Sequence, residues 1–291
     1  MSHRDEPPPA FRAPPLSCDA HFHVFGPGDR YPHGGVNERL RYQPPLAPLS
    51  DYLALAAHLG MERFVFVQPS AYGRDNACML DAMREVGVAR CRGIVDVHEE
   101  APDAPLDEMH QLGVRGVRIN VSPVKPREPG FSETMKPRIA RLDARCAKRG
   151  WMLDFLQPGW LTEELLPVFA RLRSPFTIAH MGMFLAKDGP RQAGFQELID
   201  LVRHGGGRAW IKLTGTYRMG ALPSMADVAP MARALIAAAP ERLIWGGDYP
   251  HLSFADQVGS VQLFNLLADW APDQATRRKI LVDNPAALFG F

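Results

Sequence analysis

Eight short apolar runs, separated by stretches with helical spacing, constrain this chain more than any other feature. The runs cover residues 16–25, 63–68, 91–97, 114–120, 151–156, 176–180, 209–213 and 242–245. Between them, helical periodicity marks residues 49–59, 76–86, 106–112, 132–149, 162–172, 194–203 and 225–239, with further helix up to residue 287. Ser132 reads as a helix cap, and Thr162-Glu-Glu as a helix opening. Strands alternating with helices predict a parallel sheet. Several runs are continuously apolar rather than alternating, as in strands covered on both faces. With 291 residues to arrange, this order predicts a single-domain (β/α)8, or TIM, barrel over residues 16–291. Residues 1–15 are polar and proline-rich and read as a flexible arm without the apolar segment of a secretory signal.

The composition narrows the function by exclusion. The net charge is +1 and no basic run stands out, which argues against a nucleic-acid track. No apolar stretch is long enough to span a bilayer, so no membrane partner is expected. The four cysteines (Cys18, Cys78, Cys91, Cys146) show no paired spacing, which fits free thiols in a reducing cytoplasm. Oligomeric state is not legible. The first strand leads into His21-Phe-His rather than a glycine-rich phosphate loop. Residues 26–48 are Pro/Gly-rich and long for a βα loop, and long loops at a barrel's C-terminal face usually carry function or a lid.

Active sites of such barrels form at the C-terminal ends of the strands. His21 and His23 stand two apart on the first strand and so share a face. Asp248 follows the eighth run, which barrel closure brings beside the first. His180 ends the sixth run. Gln68 and Ser70 end the second, with Tyr72 beyond them; Arg118 and Asn120 lie on the fourth, Asp154 and Gln157 on the fifth. Lys212 lies on the seventh, followed by Tyr217 and Arg218, and His251 follows the eighth. Imidazoles gathered around a carboxylate form either a metal site or a hydrolytic proton-transfer site. Asp154 reads as structural, whereas Arg118 and Lys212 read as functional rim residues, with strand-to-helix ion pairs the alternative. His58, His98, His110 and His204 read as surface residues. A serine nucleophile lacks its G-x-S-x-G elbow.

Asp19-Ala-His-Phe-His-Val-Phe-Gly26, Val67-Gln-Pro-Ser70, Gly113-Val-Arg-Gly-Val-Arg-Ile-Asn120, Ile178-Ala-His-Met-Gly182, Trp245-Gly-Gly-Asp-Tyr-Pro-His251 and Asp283-Asn-Pro-Ala-Ala-Leu-Phe-Gly290 together resemble the amidohydrolase superfamily. The nearest branch is that of the 2-pyrone-4,6-dicarboxylate hydrolases and sugar-lactone enzymes. The resemblance implies a distorted (β/α)8 barrel that opens the ring ester of a small carboxylated lactone. It implies Asp248 as general base, with His21, His23 and His180 polarising the carbonyl. It further implies Ser70, Tyr42, Arg118 and Arg218 as holders of substrate carboxylates, and Asn120 and His251 join them as rim candidates. The pyrone-dicarboxylate enzymes carry a second arginine shortly after the one matching Arg118. Here that stretch reads Val121-Ser-Pro-Val-Lys-Pro-Arg127, offering Lys125 or Arg127.

A binuclear site would need a bridging lysine or glutamate and another histidine, and the fourth and fifth strands offer neither in the required set. The branch implies work without a metal. A single zinc on His21, His23, His180 and Asp248 is the alternative. Two other activities stay open beside hydrolysis: a zinc-dependent decarboxylase of the same superfamily, and a lactone isomerase.

Overall fold

A computed structural model describes residues 6–34 and 44–291 of the chain. Its eight strands are β1 (Cys18–Phe22), β2 (Arg63–Val67), β3 (Cys91–Val95), β4 (Val114–Asn120), β5 (Met152–Leu156), β6 (Phe176–Ile178), β7 (Ala209–Leu213) and β8 (Leu243–Trp245). They pair in chain order, every pair parallel. The helices that return the chain are α1 (Leu49–Leu59), α2 (Ala77–Val86), α3 (Asp103–Gln111), α4 (Phe131–Arg149), α5 (Gly159–Phe169), α6 (Ala193–His204), α7 (Ala229–Ala238) and α8 (Ser260–Trp270). Two short ones, α9 (Gln274–Arg278) and α10 (Asn284–Phe289), end the chain. The expected TIM barrel is therefore present.

Several expectations about helix ends need correction. α4 begins at Phe131 with Gly130 at its N-cap, in the left-handed region at φ 78°, so Ser132 is not the cap. α5 begins at Gly159, after Pro158, not at Thr162. Thr162 instead spends its hydroxyl inside the fold, donating to the Gly182 carbonyl at 2.9 Å. α3 starts three residues before the expected position, at Asp103.

Alternation along each strand divides the apolar side chains into two cores. The larger lies between sheet and helices and includes Phe64, Phe66, Leu153, Phe155, Ile211 and Trp245. The smaller includes Cys18, Ala20, Val65, Val67, Ile94, Met152, Trp210 and Ile244, and plugs the barrel interior. Above that plug the inward positions turn polar, with Arg118, Asp154, Thr177 and Lys212 all buried. The ladder places Arg118 beside Asp154 and Asp154 beside Thr177.

The ring is distorted at one place. The sheet order runs from β1 to β8, and no β8–β1 ladder is present among the described residues. The seam is closed beyond the strands. Asp248 N donates to His21 O at 2.7 Å and His23 N to Tyr249 O at 2.9 Å. The buried Asp19 carboxylate accepts from Gly247 N and His21 N, each at 3.0 Å, and from the Tyr52 hydroxyl at 3.1 Å. Gly246 permits this approach: a Cβ there would lie 2.5 Å from the His21 Cβ.

The described part of the N-terminal segment lies against α8. Phe11 stacks on Phe264 with centroids 4.4 Å apart, and Glu6 accepts from Val261 N at 2.7 Å. All four cysteines are buried and unbridged. No helix among the described residues is long and apolar enough to cross a membrane. Of the 26–48 loop, residues 35–43 lie outside the described part; Phe25 and Ala47 pair their backbones at its base.

Candidate active site

β1 carries a register shift between Asp19 and Phe22. Ala20 ends the apolar plug, and His21 and His23 then both face inward, as their spacing predicted. Asp248 reaches them across the seam. Its Oδ1 is 3.5 Å from His21 Nε2 and 3.5 Å from His23 Nε2. Its Oδ2 is 3.7 Å from His180 Nε2, 3.5 Å from Arg218 Nε and 2.5 Å from the Tyr217 hydroxyl. The four groups expected to gather do gather, and all are at least 96% buried.

Local backbone geometry aims these groups. Asp248 has φ 56° and His180 φ 51°, both in the left-handed region that non-glycine residues enter at a cost of about 1–3 kcal/mol. Gly215, at φ 62°, turns the chain after β7 past the His180 ring, where a Cβ would meet Nδ1 at 2.3 Å. The short turn it opens, Thr216–Arg218, delivers Tyr217 and Arg218 to Asp248. Arg218 is held over the rings of Tyr217 and Phe254, at 5.1 and 5.4 Å.

Burial sets the charge states. It pushes His180 down to about 3, against the pull of Asp248. It also holds His21 and His23 below the usual imidazole value, with Lys212 adding to the effect on His21. Burial alone would raise the Asp248 carboxyl, but His180 and the Arg218 guanidinium outweigh it and hold the group well below the usual range. Burial and then Asp248 push the Tyr217 hydroxyl far up, so it remains a donor. At neutral pH the centre is one carboxylate among neutral rings, a phenol and a guanidinium.

Beneath His21 lies a second charged layer. Lys212 Nζ is 2.8 Å from Asp154 Oδ1 and 3.2 Å from His21 Nδ1. Thr177 donates to the same Asp154 oxygen at 2.5 Å. Arg118 donates to the Gln68 carbonyl at 2.5 Å, with Nε 4.0 Å from Asp154 Oδ2. Lys212 and Asp154 are thus an ion pair, and Arg118 is partly committed to the same layer.

Ser70 and Asn120 are half-buried at the ends of β2 and β4. Asn120 Oδ1 and Gln157 Oε1 are buried with no hydrogen-bond partner among the described residues. His251 sits behind Tyr217, ring centroids 5.8 Å apart, with Nε2 2.9 Å from Ser260 Oγ. Lys125 pairs with Glu128 and Arg127 with Glu164, both at the surface. Tyr42 lies outside the described residues. His58, His98, His110 and His204 are exposed, as expected. Tyr217 as a partner of Asp248 escaped the sequence reading, although its adjacency to Arg218 was the available signal.

His21, His23 and Asp248 offer ligand atoms all within 4.8 Å of one another, a set able to hold one metal ion. His180 is outside that set. A metal-bound imidazole normally presents its second nitrogen, as N–H, to an acceptor. His23 meets this condition, with Nδ1 2.7 Å from the Val67 carbonyl. His21 does not, because its Nδ1 faces the lysine ammonium. The spacing therefore suits a metal ion, whereas the ammonium behind His21 does not.

Residues 18–291 match the family model described as amidohydrolase. A 4-sulfomuconolactone hydrolase from Hydrogenophaga intermedia is 38% identical over 97% of this chain and 91% of its own length. A 2-pyrone-4,6-dicarboxylate hydrolase from Comamonas testosteroni is 33% identical over 97% of this chain and 92% of its own. The crystal structure of a protein from Agrobacterium tumefaciens superposes with a TM-score of 0.83 at 28% identity, covering 97% of this chain and 98% of that one.

Proposed function

The chain belongs to the amidohydrolase family, and from that premise we propose that it adds water to the ring ester of a small anionic lactone. The observation that carries this reading is the carboxylate of Asp248, ringed by His21, His23, His180, Tyr217 and Arg218 within 3.7 Å at the strand ends. The lactone hydrolases among its relatives support the substrate class.

Asp248 takes a proton from water, and the oxygen attacks the ring carbonyl. His21 and His180 donate to the carbonyl oxygen as it becomes negative, an arrangement worth about a hundred- to a thousandfold in rate per donor. The ring C–O bond breaks, and the leaving oxygen recovers the proton from Asp248. No step requires a metal.

A carboxyl held as low as Asp248 is ionised but weakly basic, and a general base works best with its pKa near the working pH. An anionic substrate answers this. Its carboxylate or sulfonate draws the Arg218 guanidinium onto itself and displaces water, and both changes raise the basicity of Asp248. Arg118, Ser70 and Asn120 are the remaining candidates for holding the anion.

The test is a panel of carboxylated and sulfonated lactones, including pyrone dicarboxylate and sugar-acid lactones, on metal-analysed protein in oxygen-18 water. Hydrolysis places label in the product. Ring isomerisation without label, or release of carbon dioxide abolished by a chelator, would replace this reading with an isomerase or a decarboxylase.

A further inference from the structure

Lys212 is fully buried, and its position behind His21 bears on what that imidazole can do. An ammonium group has donors and no acceptor. One N–H of Lys212 points to the Asp154 carboxylate at 2.8 Å and another to His21 Nδ1 at 3.2 Å. Asp154 also accepts from Thr177 at 2.5 Å, so it acts as a carboxylate and keeps the lysine charged. His21 Nδ1 therefore accepts, and the one proton of the neutral ring lies on Nε2. That nitrogen faces Asp248 and has no hydrogen-bond partner among the described residues.

His23 has the opposite arrangement. Its Nδ1 is 2.7 Å from the Val67 carbonyl, which can only accept, so the proton is on Nδ1 and Nε2 carries a lone pair. That lone pair and Asp248 Oδ1 are two acceptors 3.5 Å apart. They converge on one place suited to a molecule with two donor hydrogens, a water. Two rings two residues apart thus have divided roles: one donates into the cavity and the other accepts.

We propose that Lys212 is a positioning residue that fixes the proton of His21 on Nε2, making His21 a hydrogen-bond donor to the reacting oxygen and not a metal ligand. A metal needs the Nε2 lone pair, which this tautomer lacks. The donor role rests on the hydrolytic reading above; the tautomer itself does not.

The test begins on the native protein, with ring-nitrogen NMR of the 15N-histidine-labelled enzyme. Signals are assigned by the loss of one in His21→Gln and another in His23→Gln. The expected result is Nε2–H for His21 and Nδ1–H for His23. Lys212→Met should erase the His21 preference, and Lys212→Arg, which retains donors, should preserve it. Zinc affinity, read by chelator competition, should rise about tenfold or more in Lys212→Met, and kcat should fall up to about a hundredfold with KM little changed, as for loss of an oxyanion donor. Should the lone Asp154 charge unfold that variant, Lys212→Met with Asp154→Asn removes the pair together. An Nδ1–H tautomer of His21 in the native enzyme, or zinc affinity unchanged by Lys212→Met, overturns the proposal. Lactones that are never hydrolysed while His21 shows Nε2–H would refute the hydrolytic reading and leave Lys212 in its role. Turnover with His21 as Nδ1–H would do the reverse.

Discussion

The Tyr217 hydroxyl lies 2.5 Å from Asp248 Oδ2, closer to that carboxylate than His21, His23, His180 or Arg218. It comes from a turn rather than a strand, and it reaches the oxygen facing away from His21 and His23. The hydroxyl fixes which lone pairs of Asp248 are left for water. A hydrogen bond to a charged group is worth about 1.5–3 kcal/mol. Tyr217→Phe should therefore lower kcat by roughly ten- to a hundredfold and leave KM within a few-fold. Steady-state kinetics on the chosen lactone decide it; an unchanged kcat removes Tyr217 from the machinery.

Asp248→Asn keeps the shape of the group and loses its basicity. A positioned general base contributes about a hundred- to ten-thousandfold in rate, so turnover should fall by that range. Calorimetric binding of the lactone should survive. A near-normal rate in this variant would mean that another group activates the water.

Arg118 donates one N–H to the Gln68 carbonyl and stands 4.0 Å from Asp154, so part of its charge is used internally. Its proposed second role is to hold the substrate anion from the ends of the strands. Arg118→Met should raise KM for an anionic lactone by about tenfold or more, in line with the loss of one charge-assisted hydrogen bond. The same change should matter far less for a neutral lactone. Equal effects on both would identify Arg118 as a structural cation of the buried layer.

His180 gives a pH signature in stability. Burial holds its ring at about 3 in the folded protein, against 6.5 for an unperturbed imidazole. Between those values the unfolded chain carries a proton that the folded chain lacks. The contribution is complete above about pH 6.5 and is lost as pH falls toward about 3. Near pH 5 it should give a slope of about 1.4 kcal/mol per pH unit. Urea midpoints from pH 6.5 to 4.5 should fall less steeply in His180→Asn than in the native protein. Parallel curves would show that the ring takes up its proton in the folded state.

The barrel was legible because parallel strands buried on both faces leave contiguous apolar runs. β4 and β7 have the bounds read from the sequence, as does α1. Helix starts were harder. Ser132 and Thr162 look like caps, but Gly130 and Pro158 set the starts by backbone conformation, and both polar residues then fall inside helices. Of the site, the strand-borne groups were legible, since His21, His23 and Lys212 follow the two-residue period. Tyr217 was placed after the seventh strand, but its bond to Asp248 was not legible, because the Gly215 turn that carries it has no period to read. Nor did spacing reveal that Lys212 backs His21: they belong to strands that are not ladder neighbours, and only the curvature of the barrel brings them within 3.2 Å.

The gap between the first and last strands has a consequence for how this molecule would fail. His21 and Asp248 stand on opposite banks of it, tied by a few backbone bonds and the one carboxylate of Asp19. A small widening there would part the base from its imidazoles while every helix stayed folded. Such a protein would go silent under mild heat or denaturant before its circular dichroism changed, and would recover on cooling.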